Sequence, residues 1–190
     1  MERSRYEEVR GCIHNGDLLF CSGNYVISQL IRRISDYSFS HAAFVMWIHE
    51  RLMVLESVED VGVRMVPLSS YIADYDNSGK PYNGDVYIGR HRVMNRQLEQ
   101  EDSTKDAKDR LMHRALDLMG KRYDTEDLSK IALRLTTGLG KRDEDDAYIC
   151  SEYVAECFAQ NNIAFGSSGG FVLPKHIGED PDVELLYKLI

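Results

Sequence analysis

The chain is short of the cysteine and histidine patterns that bind metals or build disulfide frameworks. Its four cysteines, Cys12, Cys21, Cys150 and Cys157, contain no C-x-x-C pair, so zinc and redox motifs are unsupported. Its six histidines show no H-x-x-x-H spacing, and neither a metal nor any other cofactor is expected. Basic runs are missing as well. The formal net charge is −8, and nucleic-acid binding, which needs clustered Lys and Arg, is not expected. No segment approaches the roughly 18 apolar residues of a membrane span. Met1 to Val9 carries no apolar run of the signal-peptide kind, so a cytoplasmic protein is expected, with release by lysis or a dedicated secretion system left open. Internal repeats and low-complexity tracts are absent too.

What is present is an ordinary globular composition. With 190 residues, 43% hydrophobic and 28% charged, the chain is expected to form one domain, residues 1–190, with a substantial core. Leu18 to Cys21 after Gly16-Asp17 reads as a buried strand. Ile27, Leu30, Ile31 and Ile34 recur at helical spacing after a cap at Ser22 or Asn24, leaving Arg32 and Arg33 on the wet side. Phe39 to Ile48 and Leu52 to Val58 form a β-hairpin around His49-Glu50-Arg51. Gly62 to Val66 and Asp85 to Gly89 are further strands, with a helical turn at Ser69 to Ala73 between them. Ser103 and Asp106 resemble a capping box for a helix that buries Ala107, Leu111, Ala115 and Leu118. Leu128 to Leu135 suggests another helix, Gly140 to Asp146 a solvated loop, and Val183 to Leu186 a last strand. Strand, helix, antiparallel strands and then helices make an α+β fold.

Two segments carry the chemistry. Ser40-His41-Ala42-Ala43 places a histidine on a strand, and Tyr148-Ile149-Cys150-Ser151 opens a helix with a cysteine. With Asp145 or Asp146 as cap, Cys150 falls in the first turn, where the helix dipole and unpaired N–H groups favour a thiolate. His41 can take the thiol proton. With a two-residue hairpin loop, 41 pairs with 58 and Glu56 lies diagonally on the face of His41, able to orient the imidazole. A loop one residue longer sends Glu56 to the opposite face. Against this stand plainer readings: Cys150 as a small buried hydrophobe beside Val154, Cys157 and Phe158, His41 as a core residue, and Glu56 as a solvent-facing one. Tyr123, in Gly120-Lys121-Arg122-Tyr123-Asp124, reads as a loop aromatic at the core.

Six segments come in a familiar order: Gly16 to Phe20, Ser40 to Ala43, Val54 to Ser57 with Gly62-Val63, Asp85 to Arg90, Gly120 to Asp124, and Tyr148 to Val154. Over residues 12 to 178 the chain resembles the circularly permuted papain-like hydrolases of the NlpC superfamily, in particular the YiiX/YebB-like group. The resemblance implies an antiparallel sheet or small barrel packed against the helix that carries Cys150. It also implies Cys150 as nucleophile, His41 as base, Glu56 as the orienting acid and Tyr123 as a pocket residue. Expected substrates are small peptides, amides or acyl esters, cleaved through a thioacyl intermediate. The rivals are a thiol acyltransferase or deubiquitinase-like isopeptidase of related fold, and a non-catalytic module that binds peptides or lipids.

Overall fold

The computed structural model describes residues 1–100, 104–123, 149–167 and 171–190. Six strands, β1 (Leu18–Gly23), β2 (His41–Ile48), β3 (Arg51–Val58), β4 (Gly62–Pro67), β5 (Gly84–His91) and β6 (Val183–Lys188), form one sheet in the order β4-β3-β2-β1-β5-β6. Every pairing is antiparallel. The sheet is open, so of the sheet and barrel alternatives the sheet is the one formed.

The helices are α1 (Tyr6–Val9), α2 (Val26–Ser35), α3 (Leu68–Ala73), α4 (Arg92–Glu99), α5 (Thr104–Asp117), α6 (Cys150–Ala159) and α7 (Pro174–Gly178). Side chains alternate across a strand, and both faces of the central strands are buried. Leu18, Phe20, Ala42, Phe44 and Leu55 face a cluster built with Met94, Leu111, Ala115, Tyr153 and Phe158 of α4, α5 and α6. Leu19, Ala43, Val45, Val54 and Ile88 face the other side, towards Leu68, Tyr71 and Tyr82. This double burial explains why β2 reads as a continuous apolar run rather than as an alternating one.

The predicted hydrophobic face of α5 is buried throughout at Ala107, Leu111, Ala115 and Leu118. Three expectations are corrected. Helix α2 starts from Tyr25, which makes no side-chain cap, rather than from Ser22 or Asn24. Leu30 of that helix is exposed. Arg32 is not simply solvated: it donates to Ser22 Oγ at 2.8 Å and to the Gly23 carbonyl at 3.1 Å, tying α2 to the end of β1. Helix α4 follows β5 directly and has no counterpart in the sequence reading. Its cap is His91, whose Nδ1 accepts from the Met94 N–H. Ser103, the segment from Leu128 to Leu135 and the acidic stretch Gly140 to Asp146 lie outside the described residues.

Candidate active site

The hairpin between β2 and β3 fixes the first half of the site. Ile48 pairs with Arg51, so the loop is the two residues His49-Glu50, with His49 in the left-handed region at φ 51°. That register puts Glu56 on the face of His41, and Glu56 Oε2 accepts from His41 Nε2 at 2.8 Å. The outward alternative for Glu56 is excluded: its carboxylate is fully buried.

A buried carboxylate needs partners, and Glu56 has three. His41 is one. Arg64, directly opposite on β4, donates from Nε to Oε1 at 2.9 Å. The hydroxyl of Tyr71 on α3 donates to Oε2. Burial raises the proton affinity of Glu56, but the imidazole, the guanidinium and the phenol together outweigh it, and the pKa falls below the ordinary glutamate value.

Cys150 arrives from the far end of the chain as the first residue of α6, which packs on β2 and β3. The residue preceding the helix is Ile149, so neither Asp145 nor Asp146 is its cap. The Glu152 carboxylate instead accepts from the Ile149 N–H at 3.4 Å. By strand alternation His41 and Glu56 lie on the sheet face opposite to α6. The thiol and the imidazole meet because each begins its element, His41 at the start of β2 and Cys150 at the start of α6.

The two side chains lie within electrostatic and hydrogen-bonding range, and the backbone N–H groups of Ala42 and Ser151 also face the sulfur. Burial pushes the Cys150 thiol up, but the imidazolium and these donors more than offset it, so its pKa is lowered. For His41 burial acts downward, and the thiolate and Glu56 reverse it, raising the imidazole to about 10. Since Nε2 is committed to Glu56, Nδ1 is the nitrogen left for the sulfur.

A cleft of about 840 Å³ opens on His41, walled by Tyr25, Ile31, Tyr75 and Tyr82 and rimmed by Glu59 and Asp60. Tyr123 lines this cleft and packs on the cluster of Ile149, Phe171 and Leu173. The four residues singled out from sequence are therefore gathered at one end of the sheet. The sequence reading missed Arg64, Tyr71 and Asp76. Arg64 was within reach: pairing Val58 with Gly62 across the β3–β4 turn sets it opposite Glu56.

A cysteine at a helix start and a strand histidine backed by a buried carboxylate are the parts from which a thiolate–imidazolium pair can be built. Residues 12–188 match the model of the permuted papain-like amidases of the YaeF/YiiX type, the C92 family. The chain belongs to that family, and is thus a cysteine hydrolase of the peptidase or amidase type. It is similar in fold to a solved structure described as the metalloprotein YiiX from Escherichia coli O157:H7. The TM-score is 0.65 at 17% identity, covering 93% of this chain and 97% of that one. No curated protein is significantly similar in sequence. Among the described residues no group of three or more His, Cys, Asp or Glu is placed to hold a metal ion. No helix among the described residues is long and apolar enough to cross a membrane.

Proposed function

We propose that the protein hydrolyses an amide bond of a small peptide-type substrate through Cys150, His41 and Glu56. The observation that carries the reading is the His41 ring held between the Cys150 thiol and a buried carboxylate, with Nε2 2.8 Å from Glu56 Oε2. Cys150 Sγ attacks the carbonyl carbon as a thiolate while His41 holds the proton. The C–N bond then breaks, and His41 delivers the proton to the leaving amine nitrogen. Water attacks the thioester carbon, its proton passing to His41, and the sulfur leaves as the acid product departs. An acyl ester would follow the same course with an alkoxide as leaving group.

Glu56 holds the imidazole with Nδ1 towards the sulfur and stabilises its cation. The Cys150 N–H, at the first position of α6, has no intrahelical acceptor and is the donor assigned to the developing oxyanion. Tyr123 is assigned to the substrate cleft.

The test is alkylation of each cysteine by iodoacetamide as a function of pH, read by mass spectrometry, in the wild type and His41→Ala. Cys150 should react well below the ordinary thiol pKa of about 8.5, and His41→Ala should abolish that preference. Cys150→Ser should lose turnover of peptide amides and esters while keeping its fold. A Cys150 that reacts no more readily than exposed Cys12 would overturn its assignment as the nucleophile.

A further inference from the structure

Arg64 does more than neutralise Glu56. Its guanidinium reaches in two directions, Nε to Glu56 Oε1 at 2.9 Å and Nη1 to Asp76 Oδ1 at 2.8 Å. Asp76 belongs to the loop between α3 and β5 that supplies one wall of the cleft through Tyr75, Asp76, Asn77 and Tyr82. The loop holds an unusual shape at this point. Asp76 and Asn77 both take left-handed backbone, at φ 50° and 59°, a conformation that aspartate and asparagine tolerate best among non-glycine residues. Within the loop, the Gly79 N–H donates to Asp74 Oδ1 at 2.7 Å and the Tyr75 N–H to the Lys80 carbonyl at 2.8 Å. The ring of Tyr75 lies 5.9 Å from the guanidinium carbon of Arg64.

We propose that Arg64 is a positioning residue for the site: one face of its guanidinium aims Glu56 at His41, and the other anchors the 74–83 cleft loop. The catalytic charges and the substrate wall are thereby registered by one side chain. This rests on the assignment of Cys150, His41 and Glu56 given above. The charges alternate along the line: thiolate, imidazolium, carboxylate, guanidinium. Without the last, the buried set carries a net negative charge, which disfavours the thiolate at its other end.

The other titratable groups facing this line include Cys21 of β1, Tyr71 of α3, Tyr75 and Tyr82 of the loop and Tyr153 of α6. Burial raises the pKa of each, so they stay neutral. Glu152, also on α6, is turned to the Ile149 N–H. Arg64 is therefore the second fixed cation of the line, after the His41 imidazolium. Only a planar fork makes both contacts; a lysine ammonium supplies the charge without the two-point geometry.

The experiment combines the Cys150 alkylation–pH profile with hydrogen exchange over residues 74–83, in the wild type, Arg64→Gln, Arg64→Lys and Asp76→Asn. Arg64→Gln should move the acid limb of the profile upward by about one pH unit and speed exchange of the loop about tenfold. Arg64→Lys should restore the limb but not the protection of the loop. Asp76→Asn should speed loop exchange while leaving the limb in place. An activated wild-type thiol whose limb Arg64→Gln leaves unmoved, whatever happens to the melting temperature, overturns the proposal and leaves the assignment of Cys150 standing. A loop equally protected in Arg64→Lys overturns it too, and decides the matter if Arg64→Gln does not fold. A wild-type Cys150 with ordinary thiol reactivity removes both this proposal and the assignment it rests on.

Discussion

His41 Nε2 and Glu56 Oε2 stand 2.8 Å apart because the loop joining their strands is two residues long. One inserted residue would turn every β3 side chain to the other face, sending Glu56 away from His41 and Leu55 out of its cluster. An insertion of a single glycine between His49 and Glu50 should therefore cost both activity and cooperative unfolding, where most surface-loop insertions cost little. Circular dichroism melts beside turnover of a peptide amide check it.

Glu56→Gln keeps the shape of the side chain and removes its charge. It should lower kcat/KM about a hundredfold, the lower range for loss of positioned acid–base chemistry. It should also destabilise the fold by about 3 kcal/mol, because Arg64 and His41 lose a buried counter-charge. Denaturant titration separates the second effect from the first.

Tyr71→Phe removes only the hydroxyl that donates to Glu56. The expected loss is about 2 kcal/mol of stability, as for a hydrogen bond to a buried charge. The pKa of Glu56 should rise, since one of the groups that lowers it is gone. Chemical denaturation at pH 5 and pH 7 should show the larger loss at pH 7, because protonation of Glu56 at lower pH removes the charge that the hydroxyl serves.

The dependence of stability on pH follows from the signs of the shifts. Glu56 is held below its ordinary value of 4.5, so its contribution is complete above that value and is lost as the pH falls through the lowered one. His41 is held up at about 10 from 6.5, so its contribution is complete below 6.5 and is lost as the pH rises through about 10. Cys150, held below 9.0, adds stability above that value, and loses it as the pH falls. The thiol and imidazole titrate as a pair. Activity should rise with pH across an acid limb below the ordinary thiol value and fall again near pH 10. Glu56→Gln should remove the acid-side loss of stability that belongs to that carboxylate.

Gly62 takes φ +81°, and a Cβ there would meet the Lys121 carbonyl oxygen at 2.1 Å. Gly62→Ala should cost about 2 kcal/mol or more and push the 120–123 segment, with Tyr123, away from β4. Substrate affinity should suffer more than the Cys150 alkylation profile, since the His41–Glu56 hydrogen bond is held between β2 and β3.

Periodicity and turn chemistry made β1 to β6 and α5 legible, because their patterns follow from burial on known faces. The His41–Glu56 pair was legible only conditionally, since it depended on a loop length that turn chemistry alone did not decide. Leu30 misled because helical spacing marks an apolar stripe without saying whether anything covers it. Helix α4 stayed hidden because its cap is a histidine and its buried residues are only Met94 and Leu98. Arg64 and Tyr71 escaped because their significance is relational: each matters through Glu56, and a single sequence does not display a carboxylate's partners. Residue types at Cys150 and His41 pointed to a thiol pair, but only the fold brings a helix start and a strand start to the same end of a sheet.

That meeting point has a consequence for how the chain matures. His41, Glu56 and Arg64, the proposed base, its orienting acid and their counter-ion, all come from one contiguous stretch, the β2–β3–β4 meander, which can form from local pairings. The sulfur is contributed by a helix that must dock from the opposite end of the polypeptide. Until it docks, Cys150 is an ordinary thiol with an ordinary affinity for its proton. If Cys150 is the nucleophile proposed above, its reactivity waits on the docking of that helix, and a chain with the helix undocked carries a thiol that is switched off.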